Sequence, residues 1–269
     1  MSAPVVASQA DADGVSYPGT YVAGLYNRLA TEIAGRVVEN EDLVNLPNWL
    51  ALDFRIADED WFDARTVKIL SYRQELDLRR GMLLRSIRFE DRQGRRTTIK
   101  ERRLVSMSDM HLGALELALT AENWSAKVAV RSAIDGRIVN AGAKLYRKFN
   151  NKHLDALAGE VVGEDGVYML VRTCQSNIHV AQAARTRAFR NGELLRAPRR
   201  PLREPGYIGQ ALTMSGVIRG GDDGLAQLQD AVAAGRALGM TPRQILEAHG
   251  EERLRAAEIA ALDAGLSTP

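Results

Sequence analysis

The alternation of Leu115, Leu117 and Leu119 with Glu116, Ala118 and Thr120 constrains the fold more than any other feature of this chain. A period of two sends successive side chains to opposite faces of a strand, whereas a helix repeats every 3.6 residues. The same period returns at Val128, Val130, Ser132 and Ile134, set against Lys127 and Arg131. Turn signals punctuate the pattern at short intervals. Asp91-Arg-Gln-Gly94 follows the apolar Ile87 to Phe89, and Glu164-Asp-Gly166 precedes Val167 to Val171. Asp135-Gly136 suits the positive φ angles of a tight hairpin, so a return strand is expected from Arg137-Ile-Val139. A parallel sheet would need a helix between each pair of strands. Closely spaced strands instead predict an antiparallel sandwich or barrel from about Asn45 to Ser215.

Outside that stretch the reading changes. Residues 1–16 are rich in Ala, Ser and Asp and are expected to be a disordered lead-in. They carry no Lys or Arg before Gly14, so no secretory signal is read there. From Tyr17-Pro-Gly-Thr20 to about Asn40 the chain reads as a leading segment without assigned strands. Near the other end, Leu225, Leu228 and Val232 fall at i, i+3 and i+7, one helical stripe. Thr241, Pro242 and Gln244 form an N-cap, a first-turn proline and a capping-box glutamine for a second helix through Ile245, Leu246 and Leu254. The expected organisation is a sandwich over 17–219 and a helical linker over 220–269.

Composition excludes several function classes. Thirty-six basic against 34 acidic side chains leave a formal charge of +2, which argues against a nucleic-acid or membrane-surface binder. No run approaches the roughly 18 apolar residues of a membrane span. A single cysteine, Cys174, permits no intramolecular disulfide, in keeping with a cytoplasmic protein; it is expected to be a small buried residue. The histidines, His111, His153, His179 and His249, show no metal-ligand spacing, so no metal is expected. Nucleotide, dinucleotide and serine-nucleophile motifs are absent as well.

Carboxylates carry what chemistry there is. Asp58-Glu-Asp60 and Asp63 flank Trp61-Phe62, and an indole beside carboxylates can form a sugar platform. A solvated loop anchored by Trp61 is the competing reading. Trp61, Asp60 and Trp49 are the carbohydrate-contact candidates, although Trp49 and Trp124 also suit core packing. Glu75 and Asp77 would project from one face of a strand. Arginines from Arg185 to Arg203 have only Phe189 among them, and Ala197-Pro-Arg-Arg-Pro201 reads as an exposed connection.

Several blocks resemble family 65 glycoside hydrolases and disaccharide phosphorylases. They are Pro18-Gly-Thr-Tyr-Val-Ala-Gly-Leu-Tyr26 and Val38-Glu-Asn-Glu-Asp-Leu-Val-Asn-Leu-Pro-Asn-Trp49, then Tyr72-Arg-Gln-Glu-Leu-Asp-Leu-Arg-Arg-Gly-Met82. Glu101-Arg-Arg-Leu-Val-Ser-Met-Ser-Asp-Met-His-Leu112, Leu119-Thr-Ala-Glu-Asn-Trp-Ser125 and Arg131-Ser-Ala-Ile-Asp-Gly136 continue the likeness in order. The resemblance implies a mainly β fold, a large antiparallel supersandwich of galactose-mutarotase type followed by linker helices and an (α/α)6 catalytic barrel. It implies action on an α-glucoside disaccharide such as maltose, trehalose, kojibiose or nigerose, with inversion at the anomeric centre. One glutamate protonates the leaving oxygen while phosphate, or water in hydrolases, attacks from the opposite face. The resemblance implies inorganic phosphate as co-substrate if the parent enzyme is a phosphorylase, and no cofactor. Because the sequence stops at Pro269 before any barrel, no catalytic residue is carried over. The chain is expected to be the non-catalytic N-terminal domain, inactive alone, with the barrel domain as partner and a homodimer possible. Two other classes compete: a stand-alone carbohydrate-binding sandwich, and a mutarotase-like epimerase, which needs a histidine paired with a carboxylate on a concave face.

Overall fold

The structure is a computed structural model, and it describes residues 19–107, 111–140, 149–196, 199–213, 218–219 and 225–236. Among them every regular element is a strand. The chain enters through a hairpin, β1 (Tyr26–Ile33) and β2 (Arg36–Leu43), then runs along β3 (Asn48–Ile56). Three hairpin-linked strands follow, β4 (Lys68–Asp77), β5 (Met82–Glu90) and β6 (Arg96–Val105), and then β7 (Leu112–Ala121). The short β8 (Ser125–Ala126) precedes β9 (Val128–Asp135). Next come β10 (Leu154–Val162), β11 (Gly166–Thr173), β12 (His179–Arg190) and the short β13 (Glu193–Leu194). The last are β14 (Arg199–Glu204), β15 (Tyr207–Thr213), β16 (Ile218–Arg219) and β17 (Leu225–Arg236).

Two sheets make the sandwich. The larger runs β10-β11-β12-β17-β7-β6-β5-β4, with β13 paired on β12, and the smaller runs β14-β15-β9-β3. Every pairing is antiparallel. The alternation read from sequence decides which side faces inward. Leu115, Leu117 and Leu119 of β7 share one buried cluster with Val128, Val130 and Ile134 of β9 and with Phe54, Phe89 and Met169. Across the interior, Thr186 donates to the Ser132 hydroxyl at 2.7 Å, joining β12 to β9. Gly113 of β7 lies under the Trp49 indole so closely that a Cβ there would sit 3.0 Å from the ring.

Three local expectations are corrected. No return strand follows Asp135-Gly136. Both edges of β9 are already taken by β15 and β3, so Arg137-Ile-Val139 has no edge to join. Gly136 N–H donates instead to Gly206 O at 2.8 Å. The helix read at Leu225, Leu228 and Val232 is strand β17, in register with β12 over 11 residue pairs and with β7 over nine. Without it, each of those strands would present an edge of backbone groups without partners; closing that gap outweighs a three-residue helical stripe. The mainly β, antiparallel class stands, but no helix occurs among the described residues. The second expected helix, from Thr241, lies outside them, as does the lead-in over 1–16. Third, the leading segment contains the β1–β2 hairpin. Its signal was Ala34-Gly35, both at positive φ (50° and 76°), as a two-residue hairpin turn requires.

Candidate functional site

An open cleft of about 300 Å³ lies between the loop after β3 and the β5–β6 hairpin. Its floor follows from how that loop folds. Phe62 N–H donates to Phe54 O at 2.9 Å, turning the chain back along β3. The Phe62 ring then sits 5.0 Å from Phe54 and 4.8 Å from Phe89, centroid to centroid, bridging the two sheets. Its neighbour Trp61 meets the Arg131 guanidinium at 4.3 Å and that of Arg55 at 5.3 Å, within cation–π range. Arg131 is steadied by Asp53, its cross-strand partner, at 2.8 Å.

The far wall is the Asp91–Gly94 turn. Asp91 Oδ1 accepts from Gln93 N–H at 2.9 Å and Arg95 N–H at 3.0 Å, and Gly94 takes φ +75°. Arg95 Nε donates to Asp91 Oδ2 at 2.5 Å. Gln93 Nε2 reaches across to Glu59 Oε1 at 3.1 Å, tying the two walls together.

Charge in the cleft is largely internally matched. Asp63 accepts from Arg65 through both oxygens at 2.7–3.1 Å, which holds its carboxyl below the usual range. Burial pushes the Asp53 carboxyl up against the pull of Arg131. Asp60 is exposed on the rim. The arrangement offers an aromatic, amide and carboxylate lining suited to a polyhydroxyl ligand. Among the described residues no three His, Cys, Asp or Glu side chains converge as metal ligands would.

Trp61 and Asp60 thus line one cleft, while Trp49 is buried in the core against Gly113 and does not reach it. Trp124 is also a core residue, its indole N–H shared by Arg96 O and Thr97 Oγ1, both at 3.0 Å. Glu75 pairs with Arg73 at 2.6 Å, and Asp77 caps the turn at Arg79 and Arg80. The arginine-rich stretch is partly structural: Arg185 and Arg187 share Asp165 at 2.8 and 3.5 Å, and Arg199–Glu204 is an edge strand that tolerates Pro201. Cys174 is exposed rather than buried, because β11 ends one residue earlier, at Thr173, and the cysteine opens the turn into β12. Local desolvation and then Asp155 push its thiol upward, away from nucleophilic character.

One polar constellation escaped the sequence reading. His153 is buried, accepts at Nδ1 from Asn27 Nδ2 at 3.1 Å, and turns Nε2 toward Asp42 Oδ2 at 3.4 Å. This is a histidine–carboxylate pair in which His153 is buried and Asp42 is partly exposed, and neither residue lines the Trp61 cleft. Its members lie up to 126 residues apart in sequence, so no local signal marks them.

The profile of the N-terminal domain of glycosyl hydrolase family 65 matches residues 6–217. The chain belongs to glycosyl hydrolase family 65. An uncharacterized glycosyl hydrolase of Mycobacterium tuberculosis is 47% identical over 188 residues, covering 70% of this chain and 14% of the relative. A kojibiose phosphorylase of Caldanaerobacter subterraneus is 28% identical over 172 residues, 64% of this chain and 21% of the relative. The trehalose 6-phosphate phosphorylase of Lactococcus lactis is 28% identical over 180 residues, with 65% and 21% covered. The chain therefore spans about a fifth or less of the length of these family 65 relatives. A solved structure assigned as a kojibiose phosphorylase from the human microbiome shares the fold, with a TM-score of 0.69 over 91% of this chain and 30% of that one, at 17% identity.

Proposed function

We propose that this chain is the non-catalytic sandwich of a family 65 enzyme acting on α-linked glucose disaccharides, with phosphate as co-substrate. The observation that carries this reading is the N-terminal-domain match, together with relatives named as kojibiose and trehalose phosphorylases. The arginine-neutralised cleft supports it, since a sandwich built this way contributes shape rather than proton transfer. So do Leu76, Leu78, Val105 and Met107, all exposed at the same end of β4 and β6. Apolar side chains gathered this way are suited to cover by a catalytic barrel or a second copy. Sedimentation of the chain mixed with the M. tuberculosis relative lacking its own matching 188 residues tests this. A stable one-to-one complex is expected, and two independent boundaries would count against the reading.

A second reading, carbohydrate binding by the sandwich itself, is favoured by the presence of Trp61 and Asp60 in a 300 Å³ cleft. Trp49 and Trp124 are buried, so a tryptophan fluorescence change on adding kojibiose, trehalose or maltose would report on Trp61. The change should vanish in Trp61→Ala. A flat titration of the wild type removes this reading.

A further inference from the structure

The outer face of the larger sheet holds a second cavity, about 470 Å³, built by cross-strand register. Arg73, Ser86, Lys100 and Ala118 form one row across β4, β5, β6 and β7. Glu75, Leu84, Arg102 and Glu116 form the next. Ser86 and Ala118 are short and flank Lys100, which leaves a recess between longer side chains. Arg73 donates to Glu75 at 2.6 Å, Arg102 pairs with Glu116, and in the adjoining row Arg88 grips Glu122 through two nitrogens at 2.7–3.0 Å. Each of these arginines is matched by a carboxylate. Lys100 has no carboxylate partner among the described residues; Arg85 and Glu101 also border the recess and pair with each other, so its lining holds four cations against three carboxylates.

We infer that this trough binds a hexose phosphate, with the phosphoryl group on Lys100 between Arg73 and Arg102 and sugar hydroxyls donating to Glu75 and Glu116. An ammonium group is a compact point charge suited to phosphate, and arginine adds directed donors beside it. A bare anion would meet Glu75 and Glu116 without offering them enough hydrogen-bond donors. A neutral sugar would leave the Lys100 charge unmatched. A ligand with an anionic group and several hydroxyls satisfies both sets, and the volume lies within the range of small-molecule sites. The trough is distinct from the Trp61 cleft and shares no lining residue with it.

The test is titration of the full chain with glucose 6-phosphate, glucose and inorganic phosphate in separate experiments, following backbone amide shifts on β5, β6 and β7. Glucose 6-phosphate should bind at least tenfold more tightly than either fragment, and Lys100→Met should weaken it at least tenfold. Lys100 is exposed, so its thermal midpoint should be unchanged. Glu75→Gln should narrow the preference for the sugar phosphate over inorganic phosphate. Equal affinity for inorganic phosphate, or wild-type affinity in Lys100→Met, would overturn the assignment.

Discussion

The interior between the two sheets and the β1–β2 hairpin are held by different physics. Inside, Phe54, Phe89, Leu119, Ile134, Met169, Ile208 and Leu212 are fully buried, each contributing about 1.5–3 kcal/mol by leaving water. The hairpin is mostly exposed along β2, and in β1 only Asn27 and Leu29 are buried. Polar side chains from distant segments fasten it. Asn27 Oδ1 accepts from the backbone N–H of Gln175 at 3.0 Å and Ser176 at 2.9 Å, while its Nδ2 donates to His153. Asn140 Nδ2 donates to Leu43 O at 2.9 Å, and Asn150 N–H donates to Thr31 Oγ1 at 2.8 Å. Burial is shared among many residues and degrades gradually. A polar latch concentrates its strength in a few groups, and an isolated two-stranded hairpin has little stability of its own.

That contrast can be broken most forcefully in the core. Phe54→Ala removes the ring stacked on Phe62 and should cost about 3–5 kcal/mol in urea unfolding, lowering the stability of hairpin and sandwich together. Asn27→Ala should cost less, about 1–3 kcal/mol, because it strands buried donors and acceptors rather than opening a large cavity. Its signature should be local: amide exchange rises over 26–43 while the β7 and β9 amides stay protected. Equal loss of protection in β7 and β9 would show that the hairpin and core are one cooperative unit.

The smallest effect concerns pH. Burial holds His153 below its ordinary value, 6.5, with Asp42 opposing that shift. The unfolded chain therefore takes up a proton at higher pH than the folded one does. The contribution of neutral His153 is complete above the unfolded value and is lost as pH falls through it toward the folded value. The protection factors of the hairpin amides, corrected for the slower intrinsic exchange at low pH, should fall on going from about pH 7.5 to 5.5, and His153→Gln should abolish that dependence. A core that loosens in step with the hairpin would again erase the distinction.

The same division explains what could be read from sequence. Leu115, Leu117 and Leu119, and Val128, Val130 and Ile134, announce their buried face because burial on a strand repeats every second residue. Trp61 and Asp60 were legible as neighbours because they are adjacent in the chain. The arginines on Trp61 were not, since Arg131 arrives there through register with Asp53, 78 residues away. The Asn27–His153 latch was hidden for the same reason. The β17 strand was misread because its local pattern favours a helix, while its conformation is set by two sheet edges that only the tertiary fold supplies. Cys174 falls one residue beyond the end of β11, at a strand boundary, where local reading is weakest.

The most direct test of the proposed role is turnover by the purified 269-residue chain itself. It would be incubated with kojibiose, trehalose and maltose, with and without inorganic phosphate, and assayed for released glucose and sugar phosphate. If the proposed scaffold role holds, neither should be released above the uncatalysed background. Phosphate-dependent release of a sugar phosphate, lost when a cleft carboxylate such as Asp60 is changed to Asn, would contradict the non-catalytic role and place chemistry on the sandwich.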